Sequence, residues 1–404
     1  MNLLTRLRPR TVRQGSSISF IIRHTTSLPN QNNDKKRDSP PAVVSTGSLL
    51  AAYAQLAKAR LSALVVATTA AGYVASGGTD IFVATGVMTG TALCSAAAAA
   101  ANQISEIDAD ARMHRTRQRP TVTGIISPSS GRLTVGVWGV SGVGVLYGAC
   151  DPVTAALGAA NMVLYAGIYT PMKRVTIYNT WVGAIVGAIP PVMGCTAAAA
   201  VGDYTGTAAC LALTLYYWQL VHFLALSHMY RVDYARGGFA MLGVQDTPAT
   251  AASIVRNAYG LTIVPPALAY ISGATSGMYV VESVVLNSYM LYLSHQFQDD
   301  SSNQKARRVF LNSLWYLPCS LILFCWHSRG LQDALEKEKE ISKAENILHS
   351  LRDWGRRHCV HEQNAVHETC PVAHDLTAKV ADAAVDSTTT LVQATNSSAT
   401  DPSR

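Results

Sequence analysis

Charge is almost confined to short intervals of this chain. Between Leu61 and Ser328 there are repeated stretches of about 18 to 28 residues without Asp, Glu, Lys or Arg, each long enough to cross a hydrocarbon core of roughly 30 Å. In lipid every backbone polar group must be satisfied within the protein, which leaves helices as the solution for segments so rich in Ala, Gly and Leu. Across 404 residues, 49% are hydrophobic and only 14% are charged, against about 25% in ordinary soluble domains. The chain therefore reads as an all-α, polytopic membrane protein.

Nine spans are expected: Leu61 to Ser76, Ile81 to Gln103, Leu133 to Cys150, Pro152 to Thr170, Asn179 to Val201, Gly206 to Met229, Ala258 to Ser272, Gly277 to His295 and Val309 to His327. Their small residues suit helices whose backbones approach closely. Pro190-Pro191 and Pro265-Pro266 fall inside spans, so kinked or broken helices are expected there. Outside the spans, residues 1–40 carry Arg6, Arg8, Arg10, Arg13 and Arg23 with no acid before Asp34, as in a mitochondrial transit peptide followed by a linker. Residues 50–328 form the transmembrane domain. Residues 329–404 form a polar tail, with an amphipathic pattern after Arg329 and an Ala, Ser and Thr-rich end read as disordered.

The net charge of +7 belongs to topology rather than to nucleic acid, since no nucleic-acid motif accompanies it. Every Lys and Arg between Leu61 and Ser328 falls in alternate connections or at their margins, whereas the opposite connections carry Asp80, Asp151 and Asp203. That segregation follows the positive-inside rule. In a mitochondrial inner membrane the basic side is the matrix. The eight cysteines lack C-x-x-C spacing and read as small apolar residues. The tail cluster of His358, Cys359, His361, His367 and Cys370 fits no zinc template.

Two polar clusters interrupt the apolar pattern, four spans apart and on the same side. In "ANQISEIDADARMHRTRQRP", Asn102, Glu106 and Asp110 form one helical stripe at i, i+4 and i+8, and Asp108 points elsewhere. Carboxylates at membrane depth are costly, and a hard cation such as Mg2+ would offset that cost by joining them to substrate phosphates. Arg115 and Arg119 would then clamp a diphosphate. The alternative is simple pairing with Arg112, Arg115 or Arg117. In "WQLVHFLALSHMYRVDYARGG", Gln219, His222, Tyr230 and Asp233 lie within about 80° of one another around a continuous helix. Asp233 would complete the metal set with Glu106 and Asp110; alternatively, His222 is a packing residue. Lys173 and Arg174, in "YTPMKRVT", either grip phosphate or merely obey the positive-inside bias. The spacing of the clusters suggests two four-helix halves with a shared site, plus one further helix.

The run Asn102, Glu106, Asp110, Arg115, Thr116, Arg119, Pro120 resembles the first acidic motif of the UbiA-type intramembrane prenyltransferases, and in detail the branch of that family that prenylates haem. "YTPMKRVTIYNTWVGAIVGAIPPVMG", "WQLVHFLALSHMYRVDYARGGFAML" and "ARRVFLNSLWYLP" extend the resemblance over residues 51–325. It implies a nine-span bundle and Mg2+-dependent transfer of a farnesyl group from farnesyl diphosphate to a vinyl group of haem B. The product would be haem O, a step towards haem A for cytochrome c oxidase, with haem A synthase and oxidase assembly proteins as partners. It also implies that Asn102, Glu106, Asp110 and Asp233 hold Mg2+-diphosphate and that Arg115, Arg119, Lys173 and Arg174 hold phosphate. His222 would contact haem or handle the quenching water. Gln103 and Val221 depart from the family pattern, standing for the usual first Asp and for the Pro before the His. Rival readings are a prenyltransferase of quinone precursors, a membrane carrier, and a non-catalytic assembly factor.

Overall fold

The computed structural model describes residues 46–198 and 204–358. The transit peptide and linker, Asp203, and the tail's Cys359, His361, His367 and Cys370 lie outside the described residues. The described part is helical throughout: α1 Thr46–Leu56, α2 Ala59–Ala75, α3 Ile81–Ser105, α4 Ile107–Arg112, α5 Pro128–Ala149, α6 Pro152–Val163, α7 Thr170–Met172, α8 Asn179–Ala197, α9 Thr205–Met229, α10 Arg231–Gly237, α11 Leu242–Gln245, α12 Thr247–Ile271, α13 Gly277–Asp299, α14 Asn303–His327 and α15 Arg329–His358. A π-helical stretch, Leu164–Tyr169, joins α6 to α7.

Among the described residues the expected spans overlap helical segments, the fourth being the run from α6 through the π-helical stretch to α7 and the fifth being followed only as far as residue 198. Five, namely α3, α6 through α7, α8, α9 and α14, are long and apolar enough to cross a membrane, and α1 with α2 makes a sixth if that bent pair counts as one span. The helices α5, α12 and α13 have 22, 25 and 23 residues but fall short of the same apolar measure, so there the expectation of nine rests on length.

Helix starts follow from capping chemistry. Asp80 accepts from the N–H groups of Phe82 and Val83, and Asp151 from those of Val153 and Thr154; Ser127, Asp246 and Ser302 cap α5, α12 and α14. Each side chain satisfies donors that the first helical turn leaves open. Asp80 and Asp151, acids of the basic-poor connections, thus have a structural use. Both proline pairs sit inside helices that run on past them, α8 and α12, so neither span is broken.

The packing repeats. In the first half α2 packs on α3, α3 on α5 and α5 on α6; in the second α8 packs on α9, α9 on α12 and α12 on α13. Helix α14 is the extra element, lying against α9, α13 and α2. One apolar core gathers Val87 and Leu146 of the first half with Met193 of α8, and another gathers Leu224, Ile254 and Phe297 within the second half. The halves meet where α2 crosses α8. A Cβ added to Gly72 would lie 2.0 Å from the Pro191 carbonyl oxygen, and one on Gly194 would lie 2.0 Å from that of Thr69. Only glycine permits this backbone contact.

The start of the tail is helical, as α15. Its Leu335, Ile341, Ile347, Leu348 and Leu351 are all exposed.

Candidate active site

Helices α3 and α9 both end at the same face, and each is followed by a short helix, α4 and α10, that packs against the other. Ala109 and Met113 from the first motif meet Tyr234, Phe239 and Met241 from the second in a small apolar cluster. This contact lies at one end of a cavity of about 430 Å3 that extends into the bundle between the halves, within the usual range for ligand sites.

Helix α3 does not run straight into its motif: it stops at Ser105, and α4 restarts after Glu106. The stripe survives because Glu106 N–H still bonds Asn102 O at 3.1 Å, and Asp110 N–H bonds Glu106 O at 2.8 Å. Asn102, Glu106 and Asp110 are buried and line the cavity, while Asp108 is exposed. The carboxylates are not paired with Arg112, Arg115 or Arg117. Lys173 Nζ meets Glu106 Oε1 at 2.8 Å, and Arg119 pairs with Asp110 Oδ2. The other Asp110 oxygen, Oδ1, is buried without a hydrogen-bond partner. Burial raises the Asp110 carboxyl above its ordinary pKa, against the opposing pull of Arg119.

Four basic side chains therefore line the cavity beside two carboxylates: Arg115, Arg119, Lys173 and a residue that the sequence reading missed, Lys58, whose ammonium burial pulls down to a pKa of about 7. Lys58 donates to Asn102 Oδ1 at 2.8 Å and to the Tyr165 hydroxyl at 3.4 Å. It occupies the corner between α1 and α2 at φ 49, ψ 49, and among the described residues no other non-glycine has positive φ. Such backbone strain gathers at functional sites. Gln103, in the place of the family's usual Asp, braces this corner by donating to the carbonyls of Gln55 and Leu56. Tyr165 and Tyr169 also line the cavity, from a π-helical stretch of the kind that recurs at functional sites. Lys173 lies 4.6 Å from the Tyr169 ring centroid.

The second motif divides between two tasks. Gln219 and His222 line the cavity; Gln219 donates to Leu215 O at 3.1 Å, and the bare Cα of Gly187 leaves room for its amide. Asp233, Tyr230 and Arg174 are not among the lining residues. Asp233 receives the N–H groups of His114 and Arg115 at 2.8 and 3.2 Å, so it clasps the arginine loop instead of joining Glu106 and Asp110. Tyr230 and Tyr234 flank the Arg115 guanidinium at 5.5 and 5.7 Å. Arg174 is exposed and donates to Ser105 O at the end of α3. Among the described residues no three acidic, His or Cys side chains are placed to hold a metal by themselves.

The arrangement suits one class of ligand. Its mouth is cationic, with two buried carboxylates, one of which has an unused oxygen. The interior is apolar and aromatic, lined by Val65, Pro190, Met193 and Trp218. An anionic head with a long apolar body fits this division.

The comparisons agree with this geometry. A model of the UbiA prenyltransferase family matches residues 63–317. The chain is 41% identical over 286 residues to a mitochondrial protoheme IX farnesyltransferase of Homo sapiens, covering 70% of this chain and 63% of that protein. It is 40% identical over 271 residues to the Arabidopsis thaliana protein of the same name, covering 66% and 62%. The chain thus spans less than two thirds of the length of these relatives. Its fold is similar to that of a digeranylgeranylglyceryl phosphate synthase, with a TM-score of 0.60 at 14% identity over 70% of this chain and 99% of the other. It is also similar to a UbiA homolog from Archaeoglobus fulgidus bound to GPP and Mg2+, with a TM-score of 0.50 at 12% identity over 68% and 99%. Both polar motifs and nearly all of the helices around the cavity fall within the matched stretch, and the chain belongs to the UbiA prenyltransferase family.

Proposed function

We propose that this protein transfers the farnesyl group of farnesyl diphosphate to a vinyl carbon of haem B, giving haem O. The observation that carries the reading is the cavity itself, with four basic side chains and two buried carboxylates at the mouth of an apolar chamber. The names of the relatives that share about 40% of the sequence support it.

A divalent cation fits the donors present. Glu106 and Asp110 are hard oxygen ligands on one stripe, and the unpartnered Asp110 Oδ1 has coordination to spare. With so few protein carboxylates, the remaining ligands would be diphosphate oxygens and water, as is usual for Mg2+. When bound there, Mg2+ supplies neutralisation of the charge that builds on the departing diphosphate.

The chain's own residues do the rest. Lys173 and Arg119, which pair with the carboxylates, turn to the phosphates when diphosphate enters, and release Glu106 and Asp110. Arg115, steadied between Tyr230 and Tyr234, holds a further phosphate oxygen. Cations placed where negative charge develops lower the barrier to breaking the C1–O bond, whose electron pair leaves with diphosphate. The vinyl π electrons form the new carbon–carbon bond; water adds to the resulting cation and loses a proton. The apolar walls exclude other water from the prenyl cation meanwhile.

The names of the relatives, the arginine-rich N-terminus and the basic loops at the cavity end support a place in the mitochondrial inner membrane, with the cavity opening to the matrix. Haem O would then pass to an oxidising step such as that of haem A synthase. The decisive assay incubates the purified protein with haem B, farnesyl diphosphate and Mg2+ and seeks haem O by chromatography. A protein that prenylates a quinone precursor but never haem overturns the reading, and protease access to the Lys173-Arg174 loop from outside the matrix overturns the sidedness.

A further inference from the structure

His222 is held as a metal ligand is held. Its Nδ1 lies 2.7 Å from Ser313 Oγ, and Ser313 Oγ lies 2.6 Å from the Phe310 carbonyl oxygen. A hydroxyl has one proton, and a carbonyl can only accept, so the Ser313 proton goes to Phe310 O. The short contact to His222 is then made by a proton on Nδ1. In the neutral ring this leaves the bare lone pair on Nε2.

The ring cannot turn to bury that lone pair. Trp218 stacks on one side at 5.0 Å and 22°, and Phe310 lies at 4.8 Å and 33°. Trp218 is itself tied by Nε1 to the carbonyl of Ser313 at 2.8 Å. No residue among those described bonds Nε2, yet His222 lines the central cavity. A donated Nδ1–H, a fixed tautomer and a locked ring are what orient imidazole towards a metal.

We infer that His222 Nε2 is the axial ligand of the iron of a metalloporphyrin substrate, with Ser313 as the positioning residue that fixes its tautomer. This rests on the reading that the cavity takes haem, and deepens it. His222 precedes the end of α9 at Met229 by seven residues, roughly 10 Å along the helix. The iron is therefore held deeper than the cationic mouth, and the edge of the porphyrin rather than its centre faces the farnesyl diphosphate. Axial ligation thus orients the vinyl group.

The test uses the full-length protein in detergent, without farnesyl diphosphate, titrated with haem B and in parallel with iron-free protoporphyrin IX. Quenching of tryptophan fluorescence reports occupancy, because Trp218 touches the His222 ring; the Soret band and the ferrous–CO spectrum report ligation. The wild type should show a histidine-ligated spectrum. His222→Gly should lose it and regain it on addition of imidazole, with protoporphyrin IX binding little changed. Ser313→Ala, which leaves the imidazole in place, should weaken haem binding about 10- to 100-fold while sparing protoporphyrin IX. A His222→Gly protein that binds haem with the wild-type spectrum overturns the ligation alone. A wild type that binds neither porphyrin overturns ligation together with the haem reading.

Discussion

The Lys173–Glu106 pair offers the sharpest separation of stability from catalysis. The two side chains are only 10% and 5% exposed, and their charges are 2.8 Å apart. At an effective dielectric of about 20 the Coulomb attraction is about 6 kcal/mol, much of it offset by the cost of desolvating two ions. Removing one partner leaves the other buried and uncompensated. Glu106→Gln and Lys173→Met should therefore each destabilise the protein by about 3 to 5 kcal/mol, whereas the double variant should recover most of that loss. Activity follows a different pattern. All three variants should make no measurable haem O, since each lacks a group assigned to the metal or to the phosphate. Equilibrium unfolding of the four proteins in mixed micelles, alongside haem O chromatography, reads both quantities. Stability losses that add to within about 0.5 kcal/mol would show that the two groups do not interact. Product from the double variant would refute the roles given to both.

Four further outcomes are expected. Asp233→Ala removes the acceptor of two charge-assisted hydrogen bonds, each worth about 1.5 to 3 kcal/mol; it should raise the KM for farnesyl diphosphate at least tenfold, and speed proteolysis of the 114–119 loop, whereas a metal ligand would shift the Mg2+ requirement instead. Lys58→Gly should be more stable than Lys58→Met by roughly 1 kcal/mol, because glycine bears the left-handed corner without strain, yet both should bind diphosphate more weakly in a competition assay. Gly72→Val should lower the unfolding midpoint sharply, since overpacking costs about 1 to 3 kcal/mol or more and the nearest atom here belongs to a backbone. Chelation with EDTA should abolish turnover and added Mg2+ restore it, with helicity by circular dichroism unchanged throughout.

The bundle was readable because lipid imposes one rule on every span, and charge-free length obeys it. The stripe of Asn102, Glu106 and Asp110 was readable for a related reason: i, i+4 spacing survives the break at Glu106, although the break itself leaves no mark in the sequence. What stayed hidden depends on distant chain. Asp233 has the right chemistry for a metal, but its oxygens go to backbone N–H groups 118 and 119 residues away, and backbone donors have no residue identity to recognise. Lys58 lies on no helical face shared with the motif; only the αL corner and the brace from Gln103 bring it to Asn102. Tyr165 and Tyr169 reach the cavity from a π-helical stretch, whose wider turn a count at 3.6 residues does not register. The tautomer of His222 needed Ser313, 91 residues on.

Where α2 and α8 touch through Gly72 and Gly194, main chain rests on main chain with no side-chain cushion between. Side chains can change rotamer to absorb a guest; carbonyls and Cα atoms cannot. That joint keeps its spacing whatever enters, so Val65 of α2 and Pro190 and Met193 of α8, which do line the chamber, stand at a set separation before any substrate arrives.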